Sequence, residues 1–258
     1  MLKRSDLKTA IRRRYEDPAE VLQYSAIAAE GLAPFEVALI RQSFVPGQLV
    51  LDVGCGGGRE AVPMAQCGLR VIGMDLIPAM VEATQRHGAE KGHRISCLAG
   101  DVSALPFCEA SFDGVAMLGQ VIAHVPGREK RVDVLRSVWR TLRPGGRLAM
   151  TTHNRRCHWK FQLYFAWVNR MRRLARRLGC GSGLGDNDRW SARISLARLR
   201  QPVFFHMYDF DEAVADLRSA GFEILDAGAR AELEAGRTDS AMRAHDYLLG
   251  FIASRPGR

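Results

Sequence analysis

Leu49-Val50-Leu51-Asp52-Val53-Gly54-Cys55-Gly56-Gly57-Gly58 decides the fold. Four of its first five residues are aliphatic, and four of the last five are glycine. A short apolar run closed by glycine reads as a buried strand entering a tight turn. Glycine permits positive φ there and lets backbone approach a ligand with no Cβ in the way. Pro46-Gly47, just upstream, is a turn signal. A helix is expected directly downstream, over about 59–66. A strand, glycine turn and helix in that order indicate a nucleotide-type ligand at the C-terminal edge of a sheet, although the glycines alone would also suit a structural turn.

The alternation continues outward. Strands are expected at 70–74, 95–98, 114–118 and 147–152, with helices at about 78–91 and 128–142 and a turn at Arg143-Pro144-Gly145-Gly146. Strands separated by helices imply βαβ units and a mainly parallel sheet. Upstream, residues 1–46 read as helical and are divided by Pro18 and Pro34. Residues 153–205 break the pattern with a long helix at about 158–178 and a Gly-rich loop at 179–188. A strand at 203–207, a helix at 211–220 and a last strand around 247–253 resume it.

At 258 residues and 47% hydrophobic content the chain suits one domain with an insertion and a sizeable core. No run approaches the ~18 apolar residues of a membrane span, and the charged N-terminus lacks the apolar stretch of a secretory signal. A cytoplasmic protein is expected. Cys55, Cys67, Cys97, Cys108, Cys157 and Cys180 form no CxxC pair or zinc-type cluster, so reduced thiols and no metal are expected. The net charge of +9 is concentrated. Residues 155–177 hold eight Lys or Arg and no acid, and the remainder is nearly neutral.

Two further strand tips carry acids. Val71-Ile72-Gly73-Met74-Asp75 puts a carboxylate 17 positions beyond Gly58, where it can accept both hydroxyls of a ribose. Gly100-Asp101-Val102 follows the third strand, where Asp101 can accept from an adenine amino group.

Together with Ala104-Leu105-Pro106-Phe107, Ser111-Phe112-Asp113 and Leu142-Arg143-Pro144-Gly145-Gly146, these stretches resemble the class I S-adenosylmethionine-dependent methyltransferases, in order, over about residues 48–152. The resemblance implies a Rossmann-like, mainly parallel seven-stranded α/β sheet flanked by helices, with a helical cap inserted after the fifth strand. It divides the chain into an N-terminal helical lid (1–46), a donor-binding core (47–152), a basic cap (153–202) and the C-terminal part of the sheet (203–258). It implies S-adenosylmethionine as cofactor. Asp52 and Gly58 frame the motif, Gly54, Cys55 and Gly56 would contact the donor, Asp75 its ribose, and Asp101 with Val102 its adenine. Leu76 and Met80 would flank adenine or ribose, or simply pack the core. Leu118 and Gln120 would edge the reaction centre, the Gln120 amide reaching the methionine portion.

Methyl transfer from a sulfonium is an in-line displacement that chiefly needs geometry, with a base only for a protonated acceptor. His124, after the fourth strand, and His153, after the fifth, are the candidate bases, each with a structural role as the alternative. His206 and Tyr208 read as a satisfied pair. Tyr15 and Tyr24 lie in the lid, where closure would exclude water.

In the helix at 158–178, Phe161, Tyr164, Phe165, Val168, Met171, Leu174, Ala175 and Leu178 define an apolar face, with Arg170, Arg173, Arg176 and Arg177 gathered opposite. Three roles fit: a pocket cover with solvated arginines, a membrane-surface helix, or a nucleic-acid dock. The reading adopted is a methyltransferase for a small or amphiphilic acceptor. The alternatives are a tRNA-type RNA methyltransferase and a non-catalytic S-adenosylmethionine-binding protein.

Overall fold

A computed structural model describes residues 4–180, 184–191, 203–236 and 246–257. Three helices lead in: α1 (Arg4–Tyr15), α2 (Pro18–Glu30) and α3 (Pro34–Ser43). Both prolines stand in the first turn of a helix, where the missing N–H has no partner to lose. Asp17 caps α2 by accepting from Ala19 N at 2.9 Å.

The core then alternates through β1 (Leu49–Val53), α4 (Ala61–Gln66), β2 (Arg70–Asp75), α5 (Pro78–Glu90), β3 (Ser96–Ala99), β4 (Phe112–Met117), α6 (Arg128–Thr141) and β5 (Leu142–His153). The chain continues with α7 (Trp159–Arg177), β6 (Asp188–Ser191), β7 (Val203–His206), α8 (Phe210–Ser219), β8 (Glu223–Ala229), α9 (Arg230–Ala235) and β9 (Leu248–Ser254). Seven strands form one sheet in the order β3-β2-β1-β4-β5-β9-β8, and β9 runs antiparallel to both its neighbours.

Helices cover both faces. On one, Val134, Leu135 and Val138 of α6 and Leu217 of α8 are buried against Leu51, Val115 and Leu148. On the other, Phe35, Leu39 and Ile40 of α3 and Val62 and Met64 of α4 are buried against Val50, Val71 and Ala149. Each such large apolar side chain contributes roughly 1.5–3 kcal/mol by leaving water. Strands covered on both faces read as near-continuous apolar runs, which is why β1 was conspicuous.

The outcome differs from the sequence reading in three places. The 143–146 turn lies within β5: Phe112 faces Leu142 while Gly114 faces Arg147, so these residues bulge out of the ladder. The strand read at 203–207 leaves the main sheet and forms an antiparallel hairpin with β6. Its place in the sheet is taken by β8, which the sequence reading passed over. Of the Gly-rich loop and the cap, residues 181–183 and 192–202 lie outside the described residues. Among the described residues, no helix is long and apolar enough to cross a membrane.

Candidate functional site

A cavity of about 500 Å³ opens at the C-terminal ends of β1, β2 and β4. This is the point where strand order reverses, between β1 and β4, the usual ligand position in open α/β sheets. Its floor is the glycine turn. Gly54 has φ +76°, and its N–H donates to Met74 O at 2.7 Å. A Cβ there would stand 2.4 Å from Val121 Cγ2. A Cβ on Gly57 would stand 2.8 Å from Tyr24 O, so the backbone of α2 lies directly on the turn and roofs the cavity.

Backbone also orients the acids. The Asp75 carboxylate accepts from Gly56 N at 3.0 Å and Ile77 N at 2.9 Å. Burial nevertheless raises its pKa, because desolvation outweighs those donors. Asp52 is buried beneath the turn, and its Oδ2 has no hydrogen-bond partner among the described residues. Desolvation, then the neighbouring Glu60, push its pKa well up. Arg59 holds this acidic floor together, donating to Glu36 at 2.6 and 2.7 Å and to Glu60 at 2.5 Å.

Of the residues read from sequence, Gly54, Cys55, Gly56, Asp75, Leu76, Met80, Asp101 and Val102 all line this one cavity. Asp101 also closes its own turn, accepting from Ser103 N at 2.9 Å. Four others lie outside the lining. Asp52 is underneath it. Gly58, at φ +88°, seats the turn on α5, where a Cβ would meet Thr84 Cα at 3.2 Å. Leu118 is core. Gln120 takes a left-handed conformation, and its side-chain amide donates to Thr151 Oγ1 at 3.3 Å. The cavity wall at that corner is formed instead by Gly119 and Val121.

The far end is made of side chains from distant segments. His124 Nδ1 lies 2.9 Å from Phe204 O, and Nε2 lies 3.3 Å from Tyr15 Oη. A carbonyl oxygen only accepts, so Nδ1 carries the proton and Nε2 is the accepting nitrogen. Burial lowers the His124 pKa and raises that of Tyr15 well above its ordinary value, so the imidazole is neutral and the phenol protonated. Tyr24 packs edge-on to Tyr15, with centroids 5.7 Å apart, and all three rings border the cavity. Below them, Arg14 and Glu20 form a buried ion pair at 2.6 Å that ties α1 to α2.

His153 does not join this group at the cavity wall. It stacks on Tyr247 at 4.8 Å and meets Phe205 edge-on at 5.4 Å. Its Nδ1 is buried without a hydrogen-bond partner among the described residues, and burial, with a smaller contribution from His124, pushes its pKa down to about 4. His206 is held between carboxylates, with Nδ1 2.9 Å from Asp188 and Nε2 2.7 Å from Glu212, and so latches the β6–β7 hairpin to α8. Tyr208 donates to Asp216 at 3.3 Å. The sequence reading missed the Arg59–Glu36–Glu60 clamp. Its one visible signal was the charged pair Arg59-Glu60 immediately after the glycines.

Fold and site together are similar to those of the class I, S-adenosylmethionine-dependent methyltransferases. Residues 50–146 match the family model described as a methyltransferase domain. The chain is 32% identical over 155 residues to a ubiquinone biosynthesis O-methyltransferase of Idiomarina loihiensis, covering 54% of this chain and 62% of that one. Across the first curated relatives it matches, the chain spans 43% to 62% of their length. In fold it is similar to magnesium protoporphyrin IX methyltransferase from Synechocystis PCC 6803 with bound SAM, at TM-score 0.61, 19% identity and 97% coverage of both chains. It is equally similar to the cyclase SpnF, at TM-score 0.65, 19% identity and 96% coverage of both. One fold thus carries different chemistries, and the reaction has to be argued from the site.

Proposed function

We propose that the chain transfers a methyl group from S-adenosylmethionine to a hydroxyl of a small or amphiphilic acceptor, with His124 as general base. The observation that carries this reading is the His124 clamp: a neutral imidazole in one tautomer, its accepting nitrogen beside the Tyr15 hydroxyl at the cavity wall. The curated relatives named as O-methyltransferases support an oxygen acceptor.

The residues present suit the donor. The glycine turn is a cradle that a Cβ would fill at Gly54, and Asp75 offers its carboxylate to a ribose. When bound, S-adenosylmethionine supplies a methyl carbon already activated by a sulfonium. The chain's residues then have three tasks. The lid backbone on Gly57 excludes water, Asp75 and the turn fix position, and His124 Nε2 receives the acceptor's proton. An acceptor hydroxyl takes the place of the Tyr15 hydroxyl as the donor to Nε2, and Phe204 O holds the imidazolium that forms.

Little favours nucleic-acid docking. Arg173 and Arg176 both bind Asp186, at 3.2 and 2.8 Å, and Arg172 donates to the carbonyls of Gly185 and Asp188. The test is transfer of radiolabelled methyl from the donor into fractionated cell extract, with Asp75→Ala as the blank. Label in the organic or small-molecule fraction, absent with the blank, is the expected outcome. Label in a ribonuclease-sensitive fraction would overturn the acceptor class. No label in any fraction, with donor binding intact, would favour a non-catalytic binding protein.

A further inference from the structure

Helix α7 turns the wrong face outward for a simple cap. Its inward side chains are Phe165 and Asn169, both buried. On the opposite side, Trp159, Leu163, Trp167, Leu174 and Leu178 recur at spacings of four and seven, which is one helical face. Their exposures are 61%, 61%, 66%, 49% and 70%. The face read from sequence as apolar is thus split: Phe161 and Phe165 pack inward, while Leu174 and Leu178 join two tryptophans in water. The arginines divide as well. Arg172, Arg173 and Arg176 are bound by residues 185–188, whereas Arg170 and Arg177 are exposed with no hydrogen-bond or ion-pair partner among the described residues, and Lys160 is exposed with its ammonium over the Trp159 ring at 5.7 Å.

From this we infer that α7 is a docking helix for an anionic lipid bilayer, its Trp/Leu row entering the interface and its unpaired cations meeting acidic headgroups. Two exposed tryptophans and three leucines fall on one stripe of the helix, with Arg170 between Trp167 and Leu174, an exposed apolar surface of the kind that marks an interaction site. A basic amphipathic helix with tryptophan on its apolar face suits the plane of an interface. The long stems of Lys160, Arg170 and Arg177 reach headgroups while the row lies deeper. Charge complementarity points the same way, since 155–177 contains no acid. A nucleic acid would meet cations and aromatic faces, but the three leucines of this row have no counterpart on a phosphate backbone.

The helix also lies over the reaction end of the cavity. Phe165 packs with Ala123, Phe205 and Met207, and Ala123 adjoins His124. A bilayer against α7 would therefore sit roughly one helix diameter, about 10 Å, from the proposed base. The surface itself rests on exposure and charge. Only its use, to present an amphiphilic acceptor, rests on the proposed function.

The experiment is co-sedimentation of the full chain with vesicles of phosphatidylcholine, with and without phosphatidylglycerol. The chain should bind the mixed vesicles more tightly, and added salt should weaken that difference. Leu163→Glu and Trp167→Glu should each lower partition by roughly tenfold or more, the loss expected from one large apolar side chain. Arg170→Gln with Arg177→Gln should cost roughly fivefold per cation on phosphatidylglycerol only. Thermal melts and calorimetric donor binding should be unchanged, since none of these residues touches the cavity or the core.

Failure of the parent chain to sediment, or equal sedimentation of the glutamate variants, would overturn the docking surface. So would a dimer that those variants split without any vesicle binding, or retention on immobilised RNA in its place. Turnover of a water-soluble hydroxyl acceptor without vesicle binding would defeat the surface and spare the function. Vesicle binding without methyl transfer to any acceptor would do the reverse.

Discussion

The two ends of the cavity are built by different means. The proposed donor end is backbone: a glycine turn, two N–H groups on Asp75, and a helix lying directly on Gly57. Apart from that helix its parts are local, each set by a strand tip and the few residues after it. The proposed acceptor end rests on side chains: Tyr15 and His124, with the carbonyl of Phe204, meet across separations of 109 and 80 residues. The first can be built by a short motif and reused for many acceptors. The second depends on α1, the segment after β4 and β7 meeting at the same imidazole, which is where one member of the fold can differ from another.

The sharpest way to break this division is at His124. Gln in its place can still donate to Phe204 O but has no basic nitrogen. His124→Gln should lower turnover by roughly 10²–10⁴-fold while leaving calorimetric donor affinity unchanged. The parent's rate should also fall as pH drops through the lowered His124 pKa. That acid limb lies below the ordinary histidine value of about 6.5, because burial favours the neutral form and a protonated ring cannot accept. The limb should vanish in the variant. A retained limb, or a loss of donor affinity equal to the loss in rate, would put His124 at the donor end instead.

The donor end breaks differently, through the backbone. Gly54→Ala meets both a positive φ and Val121 Cγ2 at 2.4 Å. Strain of about 1–2 kcal/mol adds to roughly 1–3 kcal/mol of overpacking, so denaturant unfolding should show a loss of several kcal/mol, with weaker donor binding. Adding Val121→Ala should return the packing part and leave the conformational part. The double-mutant cycle thus separates the two contributions. Full recovery would mean that Gly54 is there for space alone and that its left-handed conformation carries no cost.

Legibility follows the same division. β1 through β5 and Asp75 could be read because buried parallel strands are apolar and their tips are short motifs. β8 could not: Glu223-Ile224-Leu225-Asp226-Ala227-Gly228-Ala229 carries two acids and no clean alternation, as an edge strand with only its last two residues buried can. β7 has ordinary strand composition, and nothing in Val203-Phe204-Phe205-His206 says that its partner is β6 and not the main sheet. Gln120 looked like a ligand-facing amide because it ends an apolar strand. Its left-handed backbone turns the amide to Thr151, and no residue type announces that. The meeting of Tyr15 with His124 is invisible for a plainer reason. It is a product of three segments packing, and one sequence holds no record of which segments touch.

His153 gives the finest distinction between the two ends, because it sits beside the acceptor residues yet is built like core. Its ring is stacked on Tyr247 and set against Phe205, its Nδ1 has no partner, and its pKa is pushed down to about 4. The sign follows from which state holds more protons. In the unfolded chain the ring protonates near pH 6.5, whereas in the fold it resists until about pH 4. Its contribution is therefore complete above pH 6.5 and is lost as pH falls through that window, about 2 kcal/mol of it by pH 5. His153→Phe keeps the stacked shape, removes the titration, and should flatten the fall in stability between neutral pH and pH 5 without lowering turnover at pH 8. If turnover at pH 8 drops with His153→Phe as it does with His124→Gln, then β5 supplies a working base and the two histidines share the acceptor end. If only the acid stability changes, proton transfer belongs to His124 alone and His153 serves the packing between β5 and β7.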